Sequence, residues 1–185
     1  MIMMQQPSLA INSDDVPGPK YIMWRTRDAP RGSTANWVVN EIIVDNAAAL
    51  SFKNSQLLNV IINCHGSPGS LSVGGIGDDG GSINMDNVGE FARLKGRNIG
   101  TIWLVACNAA RGDKGKGLCQ MLATVSGCQV VAADDYQDVG VWGTYRLLAG
   151  LHGQIDEFEG TVYSFTLIGG ARVIDPTEDI YTIKV

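Results

Sequence analysis

The chain has 185 residues, of which 45% are hydrophobic and 18% are charged, as is typical of a globular domain with a sizeable core. Its formal net charge is −5, and its 14 Lys and Arg residues are scattered. Because nucleic-acid binding needs a basic surface, this charge argues against nucleic acid as a partner. We expect a loose N-terminal leader over residues 1–20, where three prolines fall, and a single domain over residues 21–185.

The sequence offers no signal for a membrane or for a metal. No stretch approaches the roughly 18–20 apolar residues of a membrane span, and the first twelve residues do not resemble a secretory signal. We therefore expect no membrane partner and a cytoplasmic location by default, with export without a cleaved signal peptide left open. No C-x-x-C pair occurs among the four cysteines, which predicts free thiols and no metal site. They are Cys64, Cys107, Cys119 and Cys128.

The apolar pattern predicts an α/β fold with a mostly parallel sheet. Residues 21–24 fit a first strand, whereas residues 37–50 fit either a helix or a strand. Short apolar runs then predict buried strands over residues 57–62, 99–105 and 129–133. Helical spacing between these runs predicts two crossover helices, and connections of this kind produce parallel strands. Near the end of the chain, Gly169-Gly170 between two apolar segments predicts a C-terminal β-hairpin.

Reactive side chains follow the three buried strands. His65-Gly66 comes after the first, Ala106-Cys107 after the second and Asp134-Asp135 after the third. Because parallel strands end at the same edge of a sheet, we expect a base, a thiol and two carboxylates along that edge. An imidazole can take the proton of a thiol nucleophile and later protonate a leaving amine, a mechanism that needs no cofactor.

Other groups near these strand ends suit a peptide cleft. The N–H groups of Gly66 and Cys107 are predicted to form an oxyanion hole, in which each donor contributes about 2.7–4 kcal/mol. Four side chains are candidates for binding substrate: Asp134, Asp135, Asn108 and Ser67.

Structural alternatives exist for the same residues. Cys107 could be an inert core thiol, and the two aspartates could cap a helix or form Asx-turns. A calcium site that includes Asp138 is a weaker alternative, because the spacing is not that of an EF-hand. His152-Gly153 is a rival histidine without a surrounding motif.

Two motifs together resemble a known group of enzymes. Residues 65–71 read His-Gly-Ser-Pro-Gly-Ser-Leu, and residues 106–112 read Ala-Cys-Asn-Ala-Ala-Arg-Gly. This order resembles the caspase/hemoglobinase-like clan (clan CD) of cysteine peptidases. The similarity is strongest to a caspase-like domain of uncharacterised function in giant bacterial repeat-containing surface proteins.

The resemblance implies a three-layer caspase-like sandwich with His65 as general base and Cys107 as nucleophile. The chain would then be a cysteine endopeptidase that cleaves itself or a partner protein. Caspases carry Gln before the Ala-Cys pair, and clostripain-like members carry Asp there, whereas this chain has Val105. Neither specificity can therefore be transferred. An inactive scaffold module, or a domain that opens only when an effector binds, remains an alternative.

Overall fold

The computed structural model describes residues 2–16, 20–75, 82–137 and 153–177. The described strands, in chain order, are β1 (Ile2–Met3), β2 (Ser8–Ser13), β3 (Arg25–Ala29), β4 (Asn59–Asn63), β5 (His65–Ser67), β6 (Ser70–Ser72), β7 (Ser82–Asn84), β8 (Thr101–Val105), β9 (Gln129–Ala133), β10 (Gln154–Ile155), β11 (Val162–Phe165) and β12 (Arg172–Val173). The described helices are α1 (Ala35–Lys53), α2 (Gly112–Ser126) and a 3₁₀ helix at Val88–Leu94. The predicted α/β class is confirmed.

A seven-stranded sheet runs through the centre of the protein. Its order is β12-β11-β9-β8-β4-β2-β3. Five neighbouring strands of this sheet pair in parallel: β9, β8, β4, β2 and β3. In contrast, β11 pairs antiparallel with β9, and β12 pairs antiparallel with β11. The predicted parallel strands and the predicted C-terminal hairpin are both present, so the carboxyl ends of β2, β4, β8 and β9 share one edge.

The N-terminal segment departs from the prediction. Instead of belonging to a loose leader, Ser8–Ser13 form β2, a central strand that is buried along its whole length. The polar side chain of Asn12 obscured this strand in the sequence. Its amide donates to Tyr21 O and its Oδ1 accepts from Tyr21 N, both at 3.0 Å, so burial leaves no unpaired polar atom there. The predicted strand over residues 21–24 is also wrong, because the strand begins at Arg25.

The ambiguous segment over residues 37–50 is helical. Thr34 caps the start of α1 by accepting a hydrogen bond from Trp37 N at 3.2 Å, and Asn54 ends it with a left-handed φ of 51°. Within the helix, Ile42 is buried against the sheet while Val44 is 56% exposed. The β-branched run Ile42-Ile43-Val44, which favoured a strand in the sequence, is thus divided between the inner and outer faces of a helix.

Both faces of the sheet are covered. Residues of α1, α2 and the 3₁₀ helix pack on one face, which includes Ile62 of β4 and Leu104 of β8. The other face, which includes Trp103, is covered by β1, β10 and the segment around Met23. No helix in the described ranges has both the length and the apolar character required to span a membrane.

Candidate active site

His65 is held at the edge where the parallel strands end. It lies two residues after β4 and begins β5, where it pairs with Ser72. Its Nε2 lies 3.3 Å from the carbonyl oxygen of Asp15 and 3.6 Å from Oδ2 of the same residue. A carbonyl oxygen can only accept a hydrogen bond, so this contact favours a proton on Nε2. The lone pair of the neutral ring is then on Nδ1, which is the nitrogen that can accept a proton.

Asp15 is a site residue that the sequence analysis missed. It lies two residues after β2, and its Oδ1 accepts a 2.6 Å hydrogen bond from the Ser13 hydroxyl. Its side chain is 37% exposed, compared with 26% for His65. The apolar run at residues 9–11, followed closely by two aspartates, follows the strand-then-polar pattern of the other strand ends. The apolar run covers only residues 9–11, so this signal was too weak to predict the strand from the sequence.

Asp15 and His65 lie at the point where the order of the strands in the sheet reverses. β2 is flanked by β3 on one side and by β4 on the other, so the chain winds outward from β2 in both directions. Ligands of open α/β sheets bind outside the carboxyl ends of the strands at such a switch point. An open cavity of about 330 Å³ adjoins Asp15 on the side of β3, at the carboxyl ends of β2 and β3, and its described lining includes neither His65 nor Cys107. It is lined by Ser13, Asp14, Asp15, Ala29, Arg31, Gly74 and Gly75.

Cys107 meets the His65 segment across adjacent strands. β4 and β8 are neighbours, and Cys64 N donates to Val105 O at 3.2 Å just beyond them. A Cβ atom added to Gly66 would lie 2.5 Å from Cys107 O and 3.2 Å from Cys107 N. Only glycine permits this approach, so the His-Gly and Ala-Cys motifs are in direct backbone contact.

The turn that presents Cys107 is fixed by its backbone. Asn108 adopts a left-handed φ of 56°, and its N–H donates to Asp135 O at 2.8 Å. Ala110 N donates to Ala133 O at 2.8 Å, which secures the turn to the end of β9. Asn108 is buried, and its Oδ1 accepts a 3.0 Å hydrogen bond from Arg111. These contacts make Asn108 a residue that shapes the turn.

The predicted oxyanion-hole donors are Gly66 N–H and Cys107 N–H. The hairpin of β5 and β6 has a two-residue turn, so Ser67 and Ser70 form its closing hydrogen-bonded pair. Hydrogen-bonded and non-hydrogen-bonded pairs alternate, and Gly66, opposite Leu71, therefore directs its N–H away from β6. Across the described ranges, no backbone carbonyl accepts from Cys107 N–H.

The predicted substrate-binding carboxylates differ in their surroundings. Asp134 accepts hydrogen bonds from Thr161 N at 2.8 Å and from the Tyr163 hydroxyl at 3.3 Å, so it ties β9 to β11. These contacts are structural, but they are neither the helix cap nor the Asx-turn that the sequence suggested as alternatives. Asp135 is exposed, and its Oδ1 accepts from Tyr136 N at 2.8 Å.

The remaining predictions fall on the surface or outside the described residues. Ser67 is exposed at the hairpin turn. Asp138 and His152 lie outside the described residues, so the calcium and rival-histidine alternatives stay predictions. Among the described residues, no group of three or more His, Cys, Asp or Glu side chains is arranged to hold a metal ion.

Cys107 differs from the other three cysteines in its exposure. All four are free thiols, but Cys64, Cys119 and Cys128 are buried while Cys107 is partly exposed. Burial raises the pKa of each of the three buried thiols, to about 12 for Cys119. They are therefore protonated and inert near neutral pH. Cys107 is the one thiol of the four that is partly exposed.

The Cys107 sulfur contacts the backbone of Gln137. Gln137 N donates to Sγ at 3.4 Å, and Sγ lies 3.8 Å from Gln137 O. Gln137 follows β9 by four residues, so the segment that leaves this strand passes beside the thiol.

Comparison with known families gives one match. The family model of DUF4347, described as a domain of unknown function, matches residues 42–142. This region is more than half of the chain and includes His65 and Cys107 but not Asp15. No curated protein matches the chain.

Proposed function

The chain belongs to the DUF4347 family, whose function is unknown, and we propose that it is a cysteine endopeptidase. Cys107 is the nucleophile and His65 the general base. The observation that carries the proposal is the backbone contact of Gly66 with Cys107, which brings the two motifs together at the carboxyl ends of β4 and β8. The Asp15 contact adds a group that orients the imidazole.

The proposed reaction begins with proton transfer from the Cys107 thiol to Nδ1 of His65. The thiolate attacks a peptide carbonyl carbon, and the N–H groups of Gly66 and Cys107 stabilise the oxyanion that forms. His65 then protonates the leaving amine as the C–N bond breaks, which leaves a thioester on Cys107. Water, deprotonated by His65, hydrolyses the thioester and regenerates the thiol. The Asp15 carboxylate stabilises the imidazolium during both steps.

A caspase/hemoglobinase-like architecture is part of the proposal. Its support is the combination of a His-Gly motif and an Ala-Cys motif after neighbouring parallel strands, beside a switch point of the sheet. The exposed edge of the site suits an extended protein or peptide substrate, including a segment of the chain itself. The departure at Val105 leaves the preferred residue before the scissile bond open.

Four proteins test the peptidase proposal: wild type, Cys107→Ala, His65→Ala and the control Cys128→Ala. Each is incubated with a diverse peptide mixture, and new peptide termini are identified by mass spectrometry. We expect cleavage by the wild type and by Cys128→Ala, and at least about a hundredfold less with either site variant. Equal cleavage by wild type and Cys107→Ala would refute the proposal.

An inactive scaffold module is the second candidate. The contact between Gln137 and the Cys107 sulfur favours it, because a backbone segment lies where a substrate would have to approach. A wild-type protein whose Cys107 reacts with small thiol reagents, but which cleaves no peptide in the mixture, would support this candidate over the peptidase.

A further inference from the structure

Both backbone polar groups of Gln137 contact the Cys107 sulfur. Its N–H donates to the sulfur at 3.4 Å, and its carbonyl oxygen lies 3.8 Å from the sulfur in a geometry that lets the S–H donate. Both polar groups of one residue are therefore directed at one sulfur atom. A substrate carbonyl that approaches Cys107 has to displace them.

The side chain of Gln137 anchors this contact. Its Nε2 donates to Asp135 O at 3.1 Å and to Glu159 O at 3.2 Å. Asp135 O also accepts from Asn108 N, the residue next to Cys107. The glutamine side chain thus links the segment after β9 both to the cysteine turn and to the segment before β11.

The contact is suited to blocking the thiol and not to cleavage of this segment. The sulfur is hydrogen-bonded at the oxygen end of the Gln137 carbonyl, whereas a nucleophile has to reach the carbonyl carbon from above its plane. Gln137 therefore occupies the nucleophile without offering it a reactive geometry.

The end of the segment, at Tyr136 and Gln137, is easier to displace than its start, where Asp134 and Asp135 are hydrogen-bonded to Thr161 and Asn108. The side chain of Tyr136 is 67% exposed, and Asp135 is exposed as well. Segments with few buried contacts open at low free-energy cost. Among the described residues, its contacts with the Cys107 sulfur are the two backbone contacts of Gln137, which the Gln137 side chain anchors.

We propose that Tyr136 and Gln137, at the end of the segment that leaves β9, form an autoinhibitory strap that blocks Cys107 until a ligand or substrate displaces it. This proposal rests on the proposed peptidase function for its biological meaning. The blocked and open states of the strap can nevertheless be detected through the thiol alone, without any catalysis.

The strap is tested by the rate at which neutral iodoacetamide alkylates Cys107 in the folded full chain. Gln137→Ala removes both side-chain anchors, and Gln137→Pro removes the N–H that donates to the sulfur. We expect alkylation about tenfold faster in each variant than in the wild type, the effect of losing one or two hydrogen bonds. Circular dichroism verifies that each variant is folded.

Two controls make the measurement specific. Gln120→Ala removes a side-chain amide that donates to Thr166 O at 2.9 Å in another part of the protein, so its alkylation rate should equal that of the wild type. Cys107→Ala gives the background from the three buried thiols. Wild-type alkylation rates in both folded Gln137 variants would overturn the strap. Faster rates support it whether or not any variant cleaves peptide, because peptide cleavage tests the proposed function instead.

Discussion

Asp15 acts on the site through its contact with Nε2 of His65. Its carboxylate and its carbonyl oxygen both lie beside that nitrogen, and Ser13 holds the carboxylate in place. Asp14, by comparison, is an exposed partner of Lys20 at 3.0 Å. Two neighbouring aspartates therefore have different roles, which a matched pair of variants can separate.

We expect Asp15→Asn to lower kcat for peptide cleavage about tenfold with little change in KM. The amide keeps the size of the side chain but loses the charge that stabilises the imidazolium, while substrate binding is unaffected. Asp14→Asn should keep wild-type kinetics. A fall in kcat of the same size in both variants would assign the effect to the general charge of the loop and not to Asp15.

Gly66 lies at a position with no room for a side chain. The methyl group of Gly66→Ala would lie 2.9 Å from the Ala106 Cβ and closer still to Cys107 O, so the two strand ends have to separate. We expect a loss of about 1–3 kcal/mol in the free energy of unfolding and a large loss of activity. Chemical denaturation measures the first quantity. Gly117→Ala, on the exposed face of α2 with no atom near the new methyl, should instead gain about 1 kcal/mol.

At the residue scale, local sequence located part of the candidate site. His65 and Cys107 were predictable because each follows a strong apolar run. Asp15 was not, because its strand reads Ser-Leu-Ala-Ile-Asn-Ser and lacks a long apolar pattern. The structural role of Asp134 depends on Thr161 and Tyr163, which are distant in sequence, so no local pattern could reveal it.

Among the elements, β2 differs most from its sequence-based prediction. Its polar residues are buried because their partners come from elsewhere: Asn12 binds the backbone of Tyr21, and Asn63 of β4 donates to Asn12 Oδ1 at 3.0 Å. A strand of this kind is recognisable only once its neighbours are known. Helix α2 was easier to predict, because its apolar spacing and its end residue are local in sequence, whereas the segment of α1 fitted either a helix or a strand.

We expect Ile11→Ala in β2 to cost about 3 kcal/mol in the free energy of unfolding. Ile11 is completely buried in the core beneath the helices, and truncation removes apolar contacts and leaves a cavity. The same change at Ile22, which is 40% exposed, should cost less than about 1 kcal/mol. Similar urea midpoints for both variants would contradict the central position of β2.

For the whole molecule, the α/β class of the fold could be predicted from the sequence, but the number of strands in the sheet could not. The alternation of strands and helices from residue 57 to residue 133 predicted three of the five parallel strands, β4, β8 and β9. Strands β2 and β3 of the large sheet were missed. β2 is rich in polar residues, and β3, at the edge, reads Arg-Thr-Arg-Asp-Ala. The charge of β3 is accommodated by a buried acid: Arg27 binds Asp45 of α1 through two hydrogen bonds of 2.8 and 2.9 Å.

The buried thiols predict how stability changes with pH. Burial raises the pKa of Cys119 from its usual value of about 9 to about 12, and raises the pKa of Cys64 and Cys128 as well. Above about pH 9, the unfolded chain therefore loses thiol protons that the folded protein keeps, and stability falls as pH rises. Each fully buried thiol should contribute a slope of about 1.4 kcal/mol per pH unit.

Urea titrations between about pH 9 and pH 11 measure this slope. Cys119→Ala should show a shallower decline than the wild type by the contribution of one thiol, because alanine does not titrate. Parallel curves for the two proteins would show that Cys119 does not keep its proton in the folded state at these pH values.

The position of β2 also bears on how the chain reaches its native state. β2 pairs with β4 at a separation of 51 residues, so the middle of the sheet forms only after a long loop has closed. Each doubling of the loop length adds only about 0.6 kcal/mol to the free-energy cost of closing the loop. Pairing of strands that are distant in sequence is nevertheless much slower than the formation of a local helix. We therefore expect folding to take roughly milliseconds to seconds, with the half-formed sheet exposed to other chains during that time.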